Sequence, residues 1–346
     1  MERKRVFFLT GATGLVGSYL LKIFLEKGHK VYALSRRKGG KSAYGRVADV
    51  LKFWGGPAVA RQRSLRVVEG DVCFKDLGIS QAERRRLIKE TDEIFHCAAI
   101  TDLNWPYEKI KKVNVGGTRH ILDFAWICAK KGVLKKANHI STACVYGDYK
   151  GVFAEKDLDV GQEFGNTYTR TKFEAEKLVE NFRKKGLWVD IFRPPVVVGS
   201  SKNGKTFQLK HIYQLISLCR LEIFDVLPLR RARISIVPID QLAEAIYIIA
   251  RETKEKNKNY HPFHNTMVFL EKIIEAARAV KKFKKPKFVY PENFNTESFS
   301  PSQKMILRDS ISAMSFKGVL DSNATELILK KLGFVFLKNN GRSLKK

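Results

Sequence analysis

Short, largely apolar runs alternate along this chain with amphipathic segments. The runs Val6–Thr10, Lys30–Ser35, Leu65–Glu69, Glu93–Cys97, Ala137–Ser141 and Trp188–Arg193 predict strands. Between them, Ser18–Glu26, Val113–Lys130 and Tyr168–Lys184 predict helices. The second carries Val113, Ile121, Leu122, Phe124, Ala125 and Ile127 at near-helical spacing, and the third carries Phe173, Leu178, Val179 and Phe182 with charges between. Strand–helix alternation of this kind implies βαβ units, hence an α/β fold with a doubly wound parallel sheet. After Pro194-Pro195 the pattern changes. Residues 200–233 are polar and basic, then helical; Ile234–Ile239 reads as a strand; Asp240–Arg251 reads as an apolar helix returning to the main domain. The expected division is a nucleotide-binding domain of residues 1–200 and 234–251, with a smaller substrate lobe of residues 201–233 and 252–346.

Composition narrows the class. With 346 residues and 44% hydrophobic content, the chain can bury a large core and is not disordered. The start Met1-Glu2-Arg3-Lys4-Arg5 leads into a strand without a signal-peptide pattern, and no apolar run is long enough to span a membrane. The five cysteines show no metal-ligand spacing, so reduced thiols and a cytoplasmic setting are expected, with no metal site. The charge is unusual: 64 Lys and Arg against 35 acids give +29. Such an excess favours an anionic partner, whether a membrane surface, a nucleic acid or an acidic carrier protein.

The chemistry begins at Thr10-Gly11-Ala12-Thr13-Gly14-Leu15-Val16-Gly17, directly after the first strand. Gly11 suits a tight turn, Gly14 a close backbone approach to a pyrophosphate, and Gly17 close helix packing. The helix start supplies free N–H groups and positive potential. Strand, turn and helix in this order are the context a dinucleotide site requires, so Gly11, Thr13, Gly14, Leu15 and Gly17 are cofactor candidates. The second strand ends in Ser35-Arg36-Arg37-Lys38, with no acid between Lys30 and Lys41. A ribose 2′-hydroxyl calls for an acid there, whereas a 2′-phosphate calls for arginine. Arg36 and Arg37 therefore point to NADP rather than NAD. Asp71 and Val72 follow the third strand and suit the adenine. Ala98, in the small-residue run ending the fourth strand, allows backbone approach to the cofactor.

Far along the chain, Tyr168 and Lys172 stand four residues apart and share one helix face. A tyrosine titrates near ~10, and a neighbouring ammonium favours the tyrosinate and lowers that value, making the phenol a usable proton donor. Thr142, at a predicted strand end, is placed to bind the substrate oxygen.

These residues together resemble the extended short-chain dehydrogenase/reductase superfamily, a Rossmann fold. The matching segments are Thr10–Gly17, Gly70-Asp71, Asn114-Val115-Gly116-Gly117-Thr118, Ser141–Gly147, the Tyr168/Lys172 pair and Arg193-Pro194-Pro195. The resemblance covers Val6 to about Arg251. It implies that Tyr168 is the acid/base, Lys172 its partner and a ligand of the nicotinamide ribose, Thr142 the hydroxyl donor, and Asn114 a support of the site. Pro195 and Val196 would lie against the nicotinamide. Within the superfamily, Ser35–Lys38, His96-Cys97-Ala98-Ala99, Arg193–Ser200 and Leu320–Leu327 look like the fatty acyl-CoA reductase and thioester reductase branch, the male sterility type.

The function expected on this basis is NADPH-dependent reduction of an acyl thioester or aldehyde, with an acyl carrier protein or an anionic membrane surface as partner, and a homodimer built on Val113–Lys130 and Tyr168–Lys184. The helices around Ile212–Phe224 and Phe269–Val280 are candidates for an acyl pocket, although core packing accounts for most of their apolar residues. One alternative keeps the fold and changes the substrate: a nucleotide-sugar epimerase, dehydratase or reductase in which Arg230, Arg231 and Arg233 bind a diphosphate. A further alternative is a non-catalytic nucleotide sensor or nucleic-acid binder using Lys281–Lys287 with Phe283 interleaved. The intact Thr142, Tyr168 and Lys172 weigh against this last reading.

Overall fold

The computed structural model describes residues 4–55, 63–103, 105–297, 299–311 and 318–337. Its first half alternates as the sequence pattern demands: β1 (Val6–Thr10), α1 (Leu15–Glu26), β2 (Lys30–Ser35), α2 (Ala43–Gly55), β3 (Leu65–Glu69), α3 (Gln81–Glu90) and β4 (Glu93–His96). There follow α4 (Tyr107–Lys111), a π-helical turn (Lys112–Gly116), α5 (Gly117–Lys131), β5 (Lys136–Ile140), β6 (Val152–Phe153), α6 (Thr167–Lys184), β7 (Val189–Phe192) and β8 (Val196–Val198). The remainder comprises α7 (Ile212–Arg220), β9 (Val226–Leu227), β10 (Arg233–Pro238), α8 (Ile239–Glu252), β11 (Asn259–Tyr260), β12 (Met267–Phe269), α9 (Leu270–Val280), β13 (Lys287–Phe288), α10 (Pro301–Ile311), β14 (Val319–Leu320) and α11 (Asn323–Lys331).

The main sheet has seven strands in the order β11-β7-β5-β4-β1-β2-β3, and every pairing in it is parallel. Strand order reverses between β1 and β4, which opens a crevice at the carboxyl ends of those strands. Both faces are covered, so the central strands carry apolar residues on each side. One face packs Leu20, Phe24, Val47 and Leu51 from α1 and α2 with Leu242 and Ile246 from α8. The other packs Leu87, Ile121, Phe124, Val179 and Phe182 from α3, α5 and α6. Each fully buried aliphatic or aromatic side chain of this kind contributes ~1.5–3 kcal/mol.

A third core joins Ile212 and Leu215 of α7, Ile234 and Ile236 of β10, Ile273 and Ile274 of α9, and Phe283 and Phe288. The late segments also reach the main sheet: β11 extends its edge beside β7, and Leu320, Leu329 and Phe336 join the first core. Arg193, at the end of β7, is fully buried and chelated by Glu176 of α6, with Nη2 2.7 Å from Oε2. It also donates to the Glu155 carbonyl oxygen at 3.2 Å, and the Glu155 carboxylate accepts from Thr325 N and Oγ1 at 2.8 and 2.7 Å. This chain of bonds ties α6 to α11.

The helices α2 and α3 have no counterpart in the sequence reading, and the predicted elements differ only at their ends. The predicted strands Glu93–Cys97, Ala137–Ser141 and Trp188–Arg193 end one residue earlier, because the chain leaves the ladder at the crevice. The helix after the glycine turn starts at Leu15 rather than Ser18. The predicted helix Val113–Lys130 is interrupted at its start by the π turn, and the regular helix begins only at Gly117.

Candidate active site

The glycine turn is shaped by close backbone contact. Gly11 has φ +72°, and a Cβ on it would lie 2.6 Å from the Ala98 nitrogen. Only glycine lets this turn pass the backbone that leaves β4. A Cβ on Gly17 would overlap the Gly11 carbonyl oxygen, so α1 can approach the turn only without a side chain there. Gly14 caps α1, its N–H donating to the Gly11 carbonyl at 2.9 Å, and no side chain satisfies the helix start. Gly14, Leu15, Val16 and Gly17 instead face a cavity. Unsatisfied N–H groups at a helix start suit a phosphate, so this cradle fits the pyrophosphate of a dinucleotide.

At the far end of the turn, Arg36 Nη1 meets Asp71 Oδ2 at 3.1 Å, while the Asp71 Oδ1 accepts from Cys73 N at 2.9 Å. Burial pushes the Asp71 carboxyl up, but the Cys73 N–H and the Arg36 cation outweigh it and hold it below its ordinary value. Arg37 reaches Glu69 at 3.5 Å on the exposed surface. Val72 packs into the second core, and Ala98 N donates to Thr10 Oγ1 at 3.3 Å. Arg46, which sequence reasoning missed, comes from α2: Nη1 donates to the Arg36 carbonyl at 2.7 Å and Nη2 to Thr13 Oγ1 at 3.2 Å. Its signal was its place on a helix the sequence reading did not identify.

Thr142, Tyr168, Lys172, Pro195 and Val196 line one cavity of about 340 Å³ together with Gly14, Leu15 and Gly17. Gly11, Thr13, Arg36, Arg37, Asp71, Val72, Ala98 and Asn114 lie outside its lining. Thr142 caps the short turn Ala143–Tyr146, accepting from Cys144 N at 3.2 Å, and shares a hydrogen bond with the Tyr168 phenol. Asn114 sits inside the π turn. Its amide donates to the Ile100 carbonyl and Thr171 Oγ1, each at 3.1 Å, and its Oδ1 accepts from Ile100 N at 2.8 Å. It thereby pins α6 and the strand-end loop together from behind the site. Ser141, the residue before Thr142, also lines the cavity, and its buried hydroxyl has no hydrogen-bond partner.

One electrostatic expectation is corrected. Tyr168 was expected to be lowered by Lys172, yet its pKa is raised: burial pushes it up, Cys144 adds to the rise, and only the Thr142 bond opposes it. Lys172 is not among the groups acting on the phenol. Lys172 is buried, and its ammonium donates to the Ile140 carbonyl at 2.9 Å and lies 3.3 Å from His139 Nε2. Burial lowers Lys172 to about 8, with Glu176 and Cys97 pulling the other way.

The remaining candidates separate. Ile212, Leu215, Ile273 and Ile274 pack into the third core, as core-forming helices do. The segment before α7 instead reaches the cavity with Gln208, Lys210 and His211. His211 holds φ +54°, a strained value for a residue with a Cβ, and Lys210 Nζ spans to Thr101 Oγ1 at 3.4 Å across the cleft. Arg230 and Arg231 line a separate open cleft of about 520 Å³ with Lys285 and Lys287, away from Tyr168. Phe283 is buried in the third core, so it offers no face for a nucleic-acid base.

Among the described residues no helix is long and apolar enough to cross a membrane, and no cluster of His, Cys, Asp or Glu is arranged to hold a metal. The profile of the male sterility protein family, an NAD-binding domain, matches residues 9–246. The nonribosomal peptide synthetase asaC of Aspergillus flavus is 28% identical over 266 residues, covering 73% of this chain and 26% of that protein. The fatty acyl-CoA reductase wat of Drosophila melanogaster is 27% identical over 242 residues, covering 60% of this chain and 45% of that protein. The chain thus spans less than half the length of either relative. Among solved structures, the terminal R domain of the myxalamid PKS-NRPS pathway superposes with a TM-score of 0.82 at 25% identity, covering 100% of this chain and 90% of that one.

Proposed function

The chain belongs to the male sterility protein family of NAD-binding domains, of extended short-chain dehydrogenase/reductase type, and from that premise we propose that it reduces acyl thioesters with NADPH. The observation that carries this reading is a shared cavity: the uncapped start of α1 and the Thr142, Tyr168 and Lys172 side chains line the same space. The bound dinucleotide supplies a hydride. Gly14, Leu15 and Gly17 would hold its pyrophosphate, Arg36 and Arg46 its 2′-phosphate, Lys172 its nicotinamide ribose, and Pro195 and Val196 the ring.

The protein's own part is binding and proton delivery. Thr142 and Tyr168 donate hydrogen bonds to the carbonyl oxygen as negative charge develops on it, and Tyr168 transfers its phenolic proton. Donors already fixed in the cavity wall stabilise that charge without reorganising. The half-buried Tyr168, its pKa raised, holds its proton until the oxygen becomes more basic than the phenolate. The hemithioacetal then expels thiol and leaves an aldehyde. The names of the relatives, a peptide synthetase and a fatty acyl-CoA reductase, support a thioester as substrate, held on a carrier protein or on coenzyme A. The basic loop after β2 supports NADPH over NADH.

The test is NADPH and NADH oxidation followed with acyl-CoA, acyl-carrier, aldehyde and sugar-nucleotide substrates, with Tyr168→Phe as control. Thioester-dependent NADPH turnover that Tyr168→Phe lowers by about 10²–10⁴ supports the reading. Turnover confined to sugar nucleotides, or thioester reduction indifferent to Tyr168, refutes it.

A further inference from the structure

Beneath Lys172 lies a pair of buried histidines that the reduction step does not use. His139 stands within β5, in register with His96 on β4, and the two rings are 5.4 Å apart. Both are buried, at 2% and 3% exposure. His96 is held from both sides, with Nδ1 2.8 Å from Thr10 Oγ1 and Nε2 3.1 Å from Thr118 Oγ1. Thr118 spends its own proton on the Asn114 carbonyl at 2.6 Å, so it can only accept from His96. His96 therefore carries a proton on Nε2, and burial, which holds the ring at about 3, keeps it neutral, so that Thr10 donates to Nδ1. His139 faces Lys172 with Nε2 at 3.3 Å, and its buried Nδ1 has no hydrogen-bond partner. A buried polar atom left unpaired costs ~1–3 kcal/mol. An apolar ring would fill this site without that cost, so the imidazole calls for a reason.

We propose that His139 is a positioning residue for Lys172: its Nε2 accepts from the ammonium and, with the Ile140 carbonyl, fixes that ammonium at the cavity wall. An ammonium has three donors and no acceptor, so a lysine in a dry site is placed by the acceptors it finds. Here they are a backbone oxygen and an imidazole on adjacent residues of one strand, while the neutral Thr10–His96–Thr118 chain backs His139 and keeps a second positive charge away. The charged and titratable groups around the pair are Glu176 and Tyr168 on α6, Cys97 at the end of β4, His96 on β4 and Arg183 on α6. Glu176 is the acid acting on the ammonium; burial first, and then the Lys172 and Arg183 cations, disfavour a protonated His139.

The inference rests on the reductase reading for its kinetic arm only. In ¹⁵N-histidine-labelled full-length protein, His139 should show an unprotonated Nε2 at pH 7, and Lys172→Met should shift that resonance. A protonated Nε2, or one indifferent to Lys172→Met, overturns the proposal whatever the activity. In the kinetic arm, His139→Phe removes the acceptor, so the desolvated ammonium loses its proton more readily. The alkaline fall in kcat/KM should move down by about one pH unit. His139→Gln places an amide oxygen at the reach of Nε2 and should return the fall toward the wild-type position. If both variants behave alike, the proposal fails and His139 is packing only. An intact Nε2 response without thioester turnover would refute the reductase reading and leave this one standing; turnover with a silent Nε2 would do the reverse.

Discussion

Arg46 and Arg36 are joined by a hydrogen bond from the Arg46 guanidinium to the Arg36 carbonyl oxygen at 2.7 Å. The bond ties α2 to the loop after β2, with the Arg46 guanidinium against Thr13 and the Arg36 guanidinium at Asp71. Like charges held together disfavour each other, and burial with the Arg36 cation holds Arg46 below its usual value. A bound phosphate would relieve that repulsion. Arg36→Ala and Arg46→Ala are each expected to weaken NADPH binding about tenfold, the loss of one charge-assisted hydrogen bond, while leaving NADH binding nearly unchanged. Fluorescence titration of both cofactors checks this; equal losses for NADH would assign the arginines to the fold.

Gly17 separates the turn's function from its packing. A methyl there meets the Gly11 carbonyl oxygen, whereas a methyl on Gly14 stays 3.3 Å from the same atom. Gly17→Ala must displace α1 from the turn, at a cost of ~1–3 kcal/mol. Its melting temperature should fall and its NADPH binding should be lost together. Gly14→Ala should fold near normally and lose part of the affinity. Thermal melts with and without NADPH separate the two.

Much of this arrangement is legible in the sequence because the physics is local. The glycine turn, the strand before it and the helix after it are set within residues 6–26, and the Tyr168/Lys172 spacing is a property of one helix. The residues that escaped depend on contacts distant in sequence. Arg46 matters because α2 folds back over the turn, and Ser141 because its hydroxyl is left unpaired beside a cavity whose wall includes residues as distant as 194–197, Gln208, Lys210 and His211. His139 looks like any strand residue until α6 lays Lys172 against it. The direction of Tyr168 was misjudged for a related reason: helical spacing predicts proximity to Lys172, but not the burial by distant segments that raises the phenol.

Arg193 and Glu176 form a fully buried ion pair beneath the catalytic helix. Removing one partner of such a pair leaves an uncompensated charge and costs ~3–5 kcal/mol. Glu176→Gln should lower stability by about that amount in urea titration. It also removes the acid that supports the Lys172 ammonium, so any remaining activity should fall off at lower pH than in the parent. Replacing both residues with apolar ones of similar volume should recover much of the stability. A Glu176→Gln protein as stable as the parent would show that the pair contributes nothing.

Acid sensitivity should follow from the buried histidines. Burial holds His96 at about 3, with Lys172 adding to it, and burial holds His261 at about 3, with Arg193 adding to it. His139 is lowered well below its ordinary value for the same first reason. Each has a folded pKa below that of the unfolded chain, near ~6.5. The unfolded state therefore takes up protons first as pH falls. Their full contribution to stability is present above about 6.5 and is lost progressively toward about 3. Glu93 and Glu155 act in the opposite sense, since burial raises both and protonation then favours the folded state. Near pH 5 each buried histidine contributes a slope on the order of 1 kcal/mol per pH unit, and the histidines outnumber the opposing carboxyls. Urea midpoints should fall steadily from pH 7 to pH 5, before most surface carboxylates titrate. A midpoint unchanged over that interval would mean that the histidines ionise in place, and that the polar chain from Thr10 through His96 to Thr118 opens without unfolding the protein.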